Sequence, residues 1–264
     1  MKSAGFWGES LPSPFADDTD TTLSDRKAMT PSLQTALQTA AAQGLTSRDD
    51  VLSILRRHLG NGHADIRIRF EKRLISGIDA ARALAAQADS VVCALADLSA
   101  AQDNASSEEP LCLCATGGYG AGLLAPFSDI DILFLIPEDA SPALTTRIEF
   151  ILYALWDLGL RVGHATRSIS ACIKDVAEDL TIRTALLDLR PLYGDRTLAR
   201  NLRSALGADL QHDTLCDFVR GKIDERELRH RRFGDNPYLV EPNLKEGRGG
   251  PRDLQTLHRM GRAA

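Results

Sequence analysis

The sequence predicts an α+β fold: a small strand-bearing core flanked by helical regions. Three observations predict it. Two short apolar strands, one over 111–115 and a second that contains Ser128 to Asp131, bracket a glycine-rich segment. A helical stripe follows and leads into a third extended run, 160–166. Before and after this core, apolar residues recur at spacings of three and four, the period of a helix with one buried face.

Taken in order, residues 1–30 carry Pro, Ser, Thr and Asp with little periodicity and read as a disordered tail. An N-terminal helical region, 31–105, comes next. Within it Ser47 reads as an N-cap, with Asp49 and Asp50 in the first turn, where acids favour the helix dipole. Gly60 and Gly62 are expected to stop that helix, and a second, long helix is expected over 64–101. A polar connector reaches Pro110. The core, 106–196, holds the strands. Ser141 and Pro142 mark a helix start, and Leu144, Ile148, Ile151, Leu152 and Leu155 form its buried stripe as far as Gly159. One helix is expected over 169–189 and a turn over 191–195. A C-terminal helical region, 197–264, is broken at 233–242 and at 247–251, with Pro251 opening the last helix at a position that tolerates proline.

Composition narrows the function classes. The chain has 264 residues, 44% of them apolar, and a formal charge of −5. That is no basic field for bulk nucleic-acid binding, and no nucleic-acid partner is expected. No apolar run reaches the ~18 residues of a membrane span, and the polar N-terminus lacks a signal-peptide pattern. No membrane partner is expected either. Five cysteines without a C-x-x-C pair suit a reducing cytoplasm. Cys112 and Cys114, alternating with Leu111 and Leu113, suit a strand core.

The chemistry concentrates in one run. Gly117-Gly118-Tyr119-Gly120 follows the first strand, and Ser128-Asp129-Ile130-Asp131 comes ten residues after Gly118, inside the second. Residues i and i+2 of a strand share a face, so Asp129 and Asp131 project together beside a glycine loop. Paired carboxylates suit Mg²⁺, which shares its ligands with substrate phosphates. Glycines let backbone N–H groups approach phosphate oxygens. Either feature alone is common. Together they read as a nucleoside-triphosphate site with metal-assisted chemistry.

The glycine loop, the ten-residue gap and the Ser-Asp-Ile-Asp run resemble the polymerase β–type nucleotidyltransferase superfamily, whose core is a mixed sheet with helices. Longer segments narrow the resemblance to the PII uridylyltransferases. These are Trp156-Asp157-Leu158-Gly159-Leu160-Arg161-Val162-Gly163-His164-Ala165-Thr166-Arg167-Ser168; Thr181-Ile182-Arg183-Thr184-Ala185-Leu186-Leu187-Asp188; Arg229-His230-Arg231-Arg232-Phe233-Gly234-Asp235; and Glu241-Pro242-Asn243-Leu244-Lys245-Glu246-Gly247-Arg248-Gly249-Gly250. The family is a bifunctional nitrogen sensor. Its transferase domain moves UMP from UTP to a tyrosine of the PII protein, an HD domain removes it, and ACT domains sense glutamine. No HD or ACT domain is recognisable before Ala264, so the resemblance implies the transferase half, truncated.

By that resemblance, Asp129 and Asp131 bridge Mg²⁺ (or Mn²⁺), Gly117 and Gly118 carry the triphosphate of UTP, and Ser128 adds a hydroxyl contact. Arg167 is expected to face the triphosphate from the end of the third strand. No third carboxylate is fixed by spacing, and Asp157 and Asp188 are candidates. His164 reads as a base, a phosphate contact or a structural histidine. Tyr119 either stacks on a base or packs against its loop. Lys222, Arg226 and Arg229 share a helical face, solvated or ligand-contacting, and Lys245 and Arg248 stand in a glycine turn that resembles an anion clamp. The chain departs from the family at Ala121 (usually Arg), Leu123 (often Glu), Phe127 (frequently His) and Pro251 (usually Leu). Two alternatives stay open: a catalytically impaired remnant or nucleotide-binding pseudoenzyme, and a nucleotidyltransferase for another protein or a small molecule.

Overall fold

The computed structural model describes residues 33–40, 44, 47–102, 109–209, 212–233 and 243–263. The expected disordered tail lies outside the described residues, as do most of the connector before Pro110 and the break at 234–242. The chain divides into two compact units, meeting between Ala205 and Leu206.

The first unit is built on a four-stranded sheet. Its strands are β1 (Cys112–Ala115), β2 (Ile130–Leu135), β3 (Val162–Arg167) and β4 (Arg190–Gly194), in the order β3-β2-β1-β4. β1 runs antiparallel to both β2 and β4, and β2 and β3 are parallel. The parallel pair needs a crossover, and helix α5 (Pro142–Asp157) supplies it. Ser141 caps α5 by accepting from Leu144 N–H, with Pro142 in its first turn. α5 buries Leu144, Ile148, Ile151, Leu152 and Leu155, each such side chain contributing roughly 1.5–3 kcal/mol of burial.

The helices preceding the sheet are α1 (33–40), α2 (Arg48–Glu71) and α3 (Gly77–Gln102). Ser47 and Asp50 form a reciprocal capping box at the start of α2. α2 does not stop at Gly60 and Gly62. It continues to Glu71 because α3 closes on it there: Gln87 Nε2 donates to His58 and Leu59 carbonyls at 2.9 and 3.1 Å, and a side chain at Gly62 would overlap it. The break falls instead at 72–76, with Arg73 at φ 55°. Ser76 then accepts from Asp79 N–H at 3.1 Å to start α3.

α3 is long and apolar enough, by length and composition alone, to cross a membrane, which the expectation of no such run overlooked. Its alanine-rich faces have another use, since more than half of its most apolar 18-residue stretch is buried. Ala85, Val91, Val92 and Leu95 join α2, α5, Leu113, Ala115, Ile132 and Phe134 in one core.

The opposite sheet face carries Cys112 and Cys114, both fully buried. Cys172 of α6 (Ile169–Glu178) and Ala199 and Arg203 of α8 (Arg196–Asp209) lie beside these thiols. Two local expectations are corrected here. The helix expected over 169–189 is two, α6 and α7 (Leu180–Leu186), divided at Asp179, whose extended backbone lets its side chain cap Thr181 and Ile182 N–H. Of the turn expected over 191–195, residues 191–194 belong to β4. Proline has no N–H to donate and is confined to edges and irregular pairings; β4 is an edge strand, and its register shifts opposite Pro191.

The second unit holds α9 (His212–Phe233), a glycine turn over 243–250, and α10 (Pro251–Ala263). Pro251 is the first residue of α10, as its sequence position predicts.

Candidate active site

At the Asp129 end of β2 the Cys112/Cys114 face opens to solvent. Leu133 and Leu135 are buried, whereas Asp131 and Asp129 are exposed, and Ile130 and Ile132 between them point into the core. The carboxylates therefore share a side, as their spacing predicts, but Asp129 precedes the strand rather than lying within it. Thr116 N–H donates to the Asp131 carbonyl at 3.0 Å, joining the glycine segment to this end of β2.

The glycine segment is a single helical turn, α4 (Gly117–Gly120), rather than an open loop. Its own hydrogen bonding begins with Gly120 N–H to Thr116 C=O at 2.8 Å, so the amides of Gly117, Gly118 and Tyr119 are the unspent donors of a helix start. Gly117 has φ +58°, and a side chain there would stand 3.2 Å from Asp131 Oδ2. The other carboxylate oxygen lies against Gly163, the register partner of Asp131 on β3, where an added Cβ would overlap Oδ1. Asp131 is thus cradled by two residues without side chains.

Arg190 holds the other end of the α4 turn. Its guanidinium donates to the Tyr119 and Gly120 carbonyls at 2.9 and 3.0 Å and pairs with both oxygens of Asp89 on α3 at 2.7 and 3.1 Å. Tyr119 is buried beneath the same guanidinium, 5.4 Å from ring centroid to Cζ. Burial, with Asp89 beside it, pushes the Tyr119 phenol well above its ordinary range. Tyr119 packs within the fold and offers no exposed ring for a base.

Ser128 sits in the exposed turn before Asp129, its N–H donating to Ala125 C=O at 3.1 Å. Phe127 beside it is 89% exposed at φ 63°, an uncommon conformation for a bulky residue. Ala121 and Leu123 are exposed on the turn after α4.

Arg167 is not brought to the carboxylates. It shares their sheet face, but it pairs in register with Leu135, four residues beyond Asp131, about 13 Å along a strand. Its Nε bonds Asp175 Oδ2 of α6 at 2.7 Å. The arginine that does reach the pair is Arg161, whose Nε lies 3.0 Å from Asp129 Oδ1. Sequence spacing hid this contact because it depends on the β2–β3 register. His164 pairs in register with Ile132 and so faces the other way, edge-on to Trp156 of α5 at 5.7 Å. That geometry suits its structural reading. Asp157, the last residue of α5, bonds Arg48 at 2.6 Å, and Asp188 is buried before β4. Among the described residues no group of three or more His, Cys, Asp or Glu side chains is placed to hold a metal. Two exposed carboxylates still fit Mg²⁺, which is commonly held by one or two carboxylates with substrate phosphates completing its shell.

In the second unit Lys222 bonds Glu225 and Arg229 bonds Asp253, each at 2.5 Å, while Arg226 and Arg248 line a cavity.

Comparison with known proteins identifies the domain that carries these residues. Residues 103–188 match the nucleotidyltransferase domain model, and residues 217–264 match the GlnD PII-uridylyltransferase model. A bifunctional uridylyltransferase/uridylyl-removing enzyme of Gluconobacter oxydans is 74% identical over the whole of this chain, which covers 28% of that protein. Proteins of the same description from Azospirillum brasilense and Rhodospirillum rubrum are 47% and 41% identical over 80% and 88% of the chain, covering 23% and 25% of theirs. The chain spans about a quarter of the length of these curated relatives. This chain therefore contains a nucleotidyltransferase domain and is similar over its whole length to part of the bifunctional uridylyltransferase/uridylyl-removing enzymes.

Proposed function

We propose that this chain is the uridylyltransferase part of a PII-modifying enzyme, acting in the cytoplasm and moving UMP from UTP to a tyrosine of PII. The observation that carries the reading is the cradle around Asp131: a carboxylate between Gly117 and Gly163, with Asp129 two residues away and first-turn amides of α4 beside it. The family matches support uridylyl transfer over other nucleotidyl chemistry.

In the reaction, the tyrosine oxygen bonds to the α-phosphorus of UTP as the bond to pyrophosphate breaks, and the phenolic proton is released. Asp129 and Asp131 would hold divalent metal, Mg²⁺ or Mn²⁺, which would supply charge stabilisation to the attacking and leaving oxygens. The Gly117 and Gly118 amides would bind phosphate oxygens at a turn that no side chain obstructs. Ser128, on the exposed turn before Asp129, would add a hydroxyl contact, and Arg161, 3.0 Å from Asp129 Oδ1, would help orient that carboxylate.

The test pairs binding with chemistry. Mg²⁺ with UTP should raise the melting temperature of the chain by mass action on the native state, and PII incubated with both should gain the mass of UMP. Asp129→Asn with Asp131→Asn should abolish both effects. An unchanged metal-dependent rise in the double variant would overturn the assignment.

A further inference from the structure

We infer that the C-terminal helical unit contains a phosphoryl-oxyanion site of its own, in the cavity between α9 and α10. The cavity is about 380 Å³ and is lined by Arg226, Glu227, His230, Arg231, Arg248 and Asp253. Three of these are guanidinium groups from two separate segments, the α9 face and the glycine turn. Arg226 with His230, and Glu227 with Arg231, stand one helical turn apart on adjacent stripes of α9.

The charges in the wall do not cancel. Asp253 is already consumed. It accepts from Arg229 Nη2 at 2.5 Å, from His230 Nε2 at 3.0 Å and from Gly249 N–H at 2.8 Å. Burial opposes its charge, but these three donors outweigh burial and hold its carboxyl below the usual range. Asp253 therefore acts as an anchor that fixes Arg229, His230 and the turn, and its charge is offset within the wall. Glu227 is the remaining acid. It reaches Arg231 only at 4.0 Å, with both side chains more than half exposed, a pairing of little worth in water.

The donors are also incompletely used. Arg226 Nε is buried without a hydrogen-bond partner, and Arg229 Nε, behind the wall, has only an ion pair with the Glu246 carboxylate at 3.9 Å; a buried donor left unpaired is costly. Guanidinium forks match phosphoryl oxygens, and bonds to an ionised acceptor are the strong ones. Several arginines converging from different segments fit a group that offers oxygens in three directions. A carboxylate offers two in one plane. The ligand class is thus a phosphoryl group, free as pyrophosphate or carried as the tail of a nucleotide. The site is made from residues of this unit alone and does not depend on Asp129 and Asp131.

The experiment titrates the whole chain with pyrophosphate in EDTA, followed by calorimetry. Saturable binding at a single site is expected, and it should persist in the Asp129→Asn/Asp131→Asn chain. Arg226→Gln with Arg248→Gln should weaken it at least about tenfold, as loss of charge-assisted bonds implies. Glu227→Gln removes the opposing charge and should tighten it about threefold, a gain that a merely unfolded variant does not mimic. UTP that displaces pyrophosphate in EDTA identifies the nucleotide tail as the ligand; pyrophosphate that stays bound identifies the free anion. The inference falls if pyrophosphate shows no saturable binding, if the arginine substitutions leave it unchanged, or if uridine without phosphate binds as well.

Discussion

Asp131 and Gly163 face each other across the parallel β2–β3 pair, and the Asp131 carboxylate occupies the space that a side chain at 163 would need. The glycine of the Gly163-His164-Ala165 run is therefore a constraint on the carboxylate. The constraint is steric, because the atom in the way is the end of a short, rotatable side chain.

It follows that Gly163→Ala should cost the fold little, under about 1 kcal/mol, since Asp131 can rotate aside. The metal site should suffer far more. The rise in melting temperature with Mg²⁺ and UTP should be lost to the degree expected for Asp131→Asn measured alongside it, while the metal-free melting temperature stays close to that of the parent. A Gly163→Ala chain with an intact metal-dependent rise would show that the cradle does not set the carboxylate.

Arg161 and Asp129 form an exposed pair at 3.0 Å. Exposed pairs contribute about 0–1 kcal/mol, so Arg161→Gln should leave stability nearly unchanged. It should also free Asp129 for a cation. Mn²⁺ binding in the absence of nucleotide should tighten by up to about fivefold at low ionic strength, with the gain fading as salt screens it. Titration followed by the Mn²⁺ spin-resonance signal reads this directly, and a loss of affinity would contradict it.

Arg190 and Asp89 are both largely buried. Removing one partner of such a pair leaves an uncompensated charge and costs about 3–5 kcal/mol. Arg190→Met should therefore destabilise the chain strongly in urea unfolding, and Asp89→Leu likewise. The double variant should lose less than their sum, by about 0.5–3 kcal/mol of coupling. Arg190→Lys should rescue poorly, because an ammonium cannot span a carboxylate and two carbonyls as the planar fork does.

Alkali should destabilise the sheet through Cys172. Burial pushes this thiol up to about 11 from an ordinary value of 9.0. Between those pH values the native chain keeps a proton that the unfolded chain releases, so stability falls as pH rises, by on the order of 2 kcal/mol in all. Cys172→Ala should flatten that slope between pH ~9 and ~11. Denaturant melts at several pH values, with and without the substitution, test it.

Local chemistry made much of the chain legible in advance. Ser47, Ser141 with Pro142, and Pro251 start helices where their side chains or fixed φ satisfy a helix start, and that information lies within four residues of each cap. The alternation around Ile130 and Ile132 placed Asp129 and Asp131 on one side because strand geometry has a period of two. The family resemblance likewise rests on contiguous runs.

What the tertiary structure alone decided involves partners far apart in the chain. Gly60 and Gly62 read locally as a stop, yet Gln87 of α3 fills the space that the missing side chain at Gly62 leaves, and α2 continues. Pro191 read as a turn, and an edge position with a shifted register made it strand. Arg167 lies within a run that resembles the family, but the β2–β3 register sets it four residues from Asp131, and Arg161 pairs with Asp129 instead. Arg190, 101 residues from Asp89, carries no local signal of its role at the glycine turn. Helix caps and strand alternation are properties of neighbouring residues. Register, burial and the pairing of charges are set only when distant segments pack, because each depends on the atoms that the rest of the chain brings alongside.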